Sequence, residues 1–82
     1  MTVKLWLLRP ILLGKGAWKD YDVHCGFIVR ADSEERARQV ADGTVPKYEP
    51  TRGKWLDASE TSCVEVTGDG DEEVILSDYA AG

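Results

Sequence analysis

The stretch from Gly26 to Gly43 constrains this chain more than any other, because a strand pattern there runs straight into a helix pattern. Phe27, Ile28 and Val29 are aromatic or β-branched and suit a pleated, half-buried surface. Cys25, Phe27, Val29 and Ala31 share one parity and make the better core face. His24, Gly26, Ile28 and Arg30 share the other. The helix start is marked twice: Ser33 can cap with Arg36 at N3, or Asp32 can cap with Glu35 closing a capping box. Glu34 and Glu35 fall in the first turn, where the helix dipole favours negative charge. Gly43 is the natural left-handed stop. Ala37, Val40 and Ala41 form a narrow apolar stripe. A helix of about ten residues is marginal alone in water, so this one must lean on a sheet.

Around that stretch the remaining strands fall into place. Val3 to Leu8 reads as a first strand ended by Pro10, with Val3, Leu5 and Leu7 on one face and Lys4, Trp6 and Leu8 on the other. Residues 10–21 connect it to a second strand, Asp22 to Ala31. Gly14-Lys15-Gly16 in that connection lacks Walker spacing and a following helix, so it reads as a flexible crossover rather than a phosphate cradle. Thr44 to Thr61 is a long connection in which Pro46 and Pro50 exclude a helix through its middle, and Trp55 and Leu56 are expected to tuck back over the sheet edge. Ser62 to Thr67 reads as a third strand, Gly68-Asp69-Gly70-Asp71 as a hairpin turn, and Glu73 to Tyr79 as a fourth strand. The predicted architecture is one α+β domain over residues 1–82: a four-stranded antiparallel sheet with one short helix on a face, in the order β-β-α-β-β. One short helix cannot cover four strands. Trp6, Leu8, Ile28 and Ile75 are therefore expected on the opposite face, covered by loops through Trp18, Tyr48 and Trp55 or by another molecule.

Charge is distributed unevenly. The net charge is −5, yet residues 1–56 hold all ten Lys and Arg against seven acids, while residues 57–82 hold eight acids and no base. An acidic surface of this kind aids solubility and suits a basic partner. It repels nucleic acid, which disfavours direct binding through it. The bases and aromatics from Lys47 to Trp55 give only a faint nucleic-acid pattern, since Glu49, Asp57 and Glu60 lie among or beside them. No run of 18 apolar residues is present and the first residues do not form a secretory signal, so a cytoplasmic location with reduced Cys25 and Cys63 is expected.

The sequence argues against several chemistries. His24 and Cys25 are neighbours on a strand pattern and face opposite ways, and there is no CxxC, HxxH or second histidine, so no metal site is assigned. A thiol nucleophile would need Cys63 to meet His24 across strands. Asp69, Asp71, Glu72 and Glu73 match a calcium loop in acidity but not in spacing. No catalytic or cofactor-binding set emerges.

Lys4-Leu5-Trp6-Leu7-Leu8-Arg9-Pro10, Gly26-Phe27-Ile28-Val29-Arg30-Ala31 leading to Ser33-Glu34-Glu35 and Ala37-Arg38, Trp55-Leu56-Asp57, Thr61-Ser62-Cys63 and Val74 to Tyr79 together cover most of the chain. As a set they resemble small proteins of bacteriophages and prophage regions, a group with no common activity. In layout alone the chain is also similar to some phage anti-CRISPR proteins. Together with the uneven charge and the uncovered apolar face, the resemblance points to a phage-derived, non-catalytic protein-binding module in the host cytoplasm, its acidic surface set against a basic partner in the manner of an inhibitor of a host defence system. The residues expected to touch that partner are Asp69, Asp71, Glu72, Glu73, Trp6, Ile28 and Trp55. The alternatives are a structural module, homodimeric or virion-associated, and a small cysteine-dependent enzyme.

Overall fold

The computed structural model describes residues 3–11, 15–19 and 23–77. Its sheet has three antiparallel strands, β1 (Lys4–Pro10), β2 (Phe27–Ala31) and β3 (Thr61–Val66), in the order β2-β1-β3. One helix, α1 (Glu34–Thr44), follows β2 and packs on one face. Two short 3₁₀ turns, Gly16–Trp18 and Lys54–Leu56, carry Trp18 and Trp55 into the core.

The predicted four-stranded sheet is corrected to three strands, because residues 73–77 form no strand. The rest of the predicted fourth strand, Asp78 and Tyr79, lies outside the described residues. Two physical features work against a hairpin here. Four carboxylates stand between residues 69 and 73, and would crowd like charges along a ladder beside Glu65. Val74, Ile75 and Leu76 are apolar in succession, with no polar alternate for a solvent face. The chain instead bends at Gly68 and again at Gly70, whose φ of 127° an L side chain rarely adopts.

β2 is also shorter than predicted. Residues 23–26 are not in the ladder because side chains have taken their backbone groups: Trp18 Nε1 donates to the His24 carbonyl at 2.8 Å, and the His24 amide donates to Glu49 Oε2 at 3.0 Å. At the other end Ser33, not Asp32, caps the helix; its hydroxyl accepts from the Arg36 amide at 3.2 Å. Gly43 does not stop the helix. It lies inside α1, which runs on to Thr44 and ends with Val45 in extended backbone.

Antiparallel register decides which side chains share a face. Trp6 lies opposite Val29 and Glu65, and Leu8 opposite Phe27 and Cys63. These residues face the helix, so Trp6 and Leu8 belong to the core side rather than to the face that carries Ile28. Pairing joins even positions of β1 to odd positions of the other two strands, which the parity of one strand alone does not reveal. The core packs Leu8, Val29, Ala31 and Cys63 beneath Ala37, Ala41 and Val45, and Trp18 and Trp55 complete it. Trp55 is fully enclosed and meets Phe27 and Trp18 edge to face, at centroid distances of 4.8 and 5.6 Å.

Two buried charges on α1 anchor the long loop. Arg38 donates to the Trp55 carbonyl at 3.1 Å, to Thr61 Oγ1 at 2.9 Å and to the Thr61 carbonyl at 3.1 Å, and pairs with Glu34 at 3.1 Å. Asp42 pairs with Arg52 at 3.2 Å and accepts from the Gly53 amide at 2.6 Å. The helix thus presents small residues to the sheet and an i,i+4 pair of opposite charges to the loop. Among the described residues no helix is long and apolar enough to cross a membrane.

Candidate functional site

The sheet face away from α1 carries two rows of side chains that register aligns: Ile28, Leu7 and Val64, then Arg30, Leu5 and Val66. Leu7 is buried, but Leu5, Ile28 and Val64 remain exposed. Beyond Val66 the chain turns back towards this face. Between the returning segment and β3 lies a groove of about 440 Å³. Its apolar surface comes from Leu7, Val64 and Val66 on the sheet and from Val74 and Ile75 on the returning segment. Asp69, Asp71 and Glu73 also line it.

Of the residues expected to meet a partner, the structure brings Asp69, Asp71 and Glu73 together here. Glu72 is exposed beside them, and Ile28 stands on the same sheet face at the β2 edge. Trp6 is on the other face, half-buried, with its indole donating to the Ala31 carbonyl at 3.1 Å. Trp55 is in the core and offers a partner nothing. None of Asp69, Asp71, Glu72 and Glu73 has an ion-pair partner among the described residues, so their charge is directed at solvent. Carboxylates set beside an aliphatic floor suit a Lys or Arg side chain, whose stem can lie on Leu7 and Val64 while its head reaches the acids.

A second polar constellation lies elsewhere and sequence spacing gave no sign of it. Buried Glu49 accepts from His24 Nδ1 at 2.8 Å, from the His24 amide and from the Thr51 hydroxyl. Burial alone would raise the Glu49 carboxyl. The hydrogen bonds from Thr51 and from the backbone and ring of His24, with the charge of His24, outweigh that and hold it below its usual value. His24 also stacks on Phe27 at 5.2 Å. The group ties the start of β2 to the loop around residue 50. Arg38 and Asp42 are buried as well, and their only sequence signal is that they sit beside Ala37 and Ala41, four apart and opposite in sign.

Cys25 is exposed and Cys63 is buried beneath α1, and no disulfide joins them. Burial pushes the Cys63 thiol up and so lowers its thiolate fraction at neutral pH, an effect that Arg38 opposes only in part. Among the described residues no group of three or more His, Cys, Asp or Glu is placed to hold a metal ion. No protein-family model matches the chain, and no curated protein or solved structure is significantly similar to it.

Proposed function

We propose that this chain is a non-catalytic protein-binding module whose groove between β3 and the returning segment takes a basic, aliphatic stretch of a partner protein. The observation that carries this is the groove's composition: carboxylates without ion-pair partners beside an apolar floor on an incompletely covered sheet face. Such an arrangement gives steering and register through charge, and residence through apolar burial. The resemblance to small phage proteins supports a phage origin and the role of a defence-system inhibitor, while the basic character of the partner follows from the groove's carboxylates. The depressed thiolate character of Cys63 favours binding over thiol chemistry.

A fluorescence titration with a peptide alternating Lys and Leu tests the proposal. Binding should weaken steeply with added salt. The triple variant Asp69→Asn, Asp71→Asn, Glu73→Gln should lose about tenfold or more in affinity. Equal affinity for a peptide with Ser in place of Lys, or an unchanged affinity in the triple variant, would refute the groove as the contact.

A further inference from the structure

The β2 half of the open face has the chemistry that the groove at the β3 half is suited to accept. Ile28 is 55% exposed and Leu5 38% exposed, and Arg30 stands exposed beside them with no ion-pair partner among the described residues. One sheet face therefore carries a basic, aliphatic edge and an acidic, aliphatic edge with the central strand β1 between them.

We infer that a second copy of this chain covers the open face, with Arg30 and Ile28 of each copy seated against the groove and returning segment of the other. This rests on the proposed function, since it uses the same groove and names its partner. Register makes the match reciprocal. Leu5 pairs with both Arg30 and Val66, and Leu7 with both Ile28 and Val64, so each pair stands in one row across β1. Consider a twofold axis between two such faces, parallel to β1. It exchanges left and right within each row and leaves the rows in order. Ile28 of one copy then comes over Val64 of the other. Arg30 comes over Val66, beside the acids that follow it in the chain.

The returning segment helps to fill the space between the sheets. Val74 is 79% exposed, and Ile75 and Leu76 are each 44% exposed. Three neighbouring apolar side chains left that far in water are what a partner's Ile28 would cover, while Leu5 meets its own copy across the axis. The operation also sets Arg9 near its own copy, a repulsion that its exposed, long side chain relieves by turning to solvent.

Sedimentation velocity from micromolar to submillimolar protein tests the inference with two charge-reversed variants, Arg30→Glu and the pair Glu72→Lys, Glu73→Lys. All three positions are exposed, and circular dichroism checks that each variant keeps its fold. Wild type should dimerise, and each variant alone should dissociate at least about tenfold more readily. An equimolar mixture of the two variants should recover a dimer, because both charge contacts are then opposite in sign. A monomeric wild type, a dimer indifferent to Arg30→Glu, or a mixture that stays monomeric would overturn the inference. The Lys and Leu peptide is titrated in parallel into Arg30→Glu, whose groove is intact. Binding retained there with a monomeric wild type assigns the failure to self-association alone, and binding absent there assigns it to the groove.

Discussion

Among single residues, Arg38 illustrates how a charge can be structural. Its guanidinium is buried, and it satisfies two backbone carbonyls and a hydroxyl that water cannot easily reach. Arg38→Met keeps the stem but strands those acceptors, and should cost about 3 kcal/mol, read from the urea midpoint. A loss below about 1 kcal/mol would show that the loop satisfies them another way. Glu49 gives a pH dependence of defined sign. Its carboxyl titrates below the ordinary 4.5 in the folded chain. The stability it supplies is therefore whole above pH 4.5, and drains as pH falls below that value through the folded one. Glu49→Gln should flatten that part of the acid limb in a denaturation series from pH 6 to pH 3. An unchanged slope would mean that other carboxylates govern acid unfolding.

For secondary elements, the fate of each sequence expectation follows from what the relevant signal measures. The strand-to-helix unit from Phe27 to Thr44 was legible because its cues are local: β-branched residues, a Ser cap, acids in the first turn. The stop at Gly43 was misplaced. Glycine favours a left-handed cap only where the chain must turn, and here the turn comes after Thr44. Gly43 has an ordinary backbone and open space around it. Gly43→Ala should accordingly raise stability by about 0.5 to 1 kcal/mol. Gly53 differs, with φ at 89° and its amide on Asp42. Gly53→Ala should lower stability by about 1 kcal/mol. Thermal melts of the two variants moving in the same direction would contradict this contrast. The absent fourth strand shows the limit of pattern reading, since a turn signal beside a β-prone run records propensity and not whether a ladder tolerates its charges.

In the molecule as a whole, part of the division of charge along the sequence becomes a division across one sheet face. Asp69, Asp71 and Glu73 gather at the β3 side, and Arg30 stands exposed at the β2 edge. That much of the candidate site was legible, because charge runs survive folding in order. Trp55 tucks in as the length of its loop predicts while Leu56 stays exposed; the face of Trp6 and the full enclosure of Trp55 were not legible, because strand register and long-range packing lie outside any local window. The groove is the central claim, and the most direct measurement of it is a nitrogen-15 chemical-shift titration of the whole chain with the Lys and Leu peptide. The expected result is a contiguous set of shifts at Leu7, Val64, Val66 and residues 69–75, with the amides of His24, Glu49 and Thr51 unmoved. Shifts centred on the loop around Glu49, or none at saturating peptide, would contradict it.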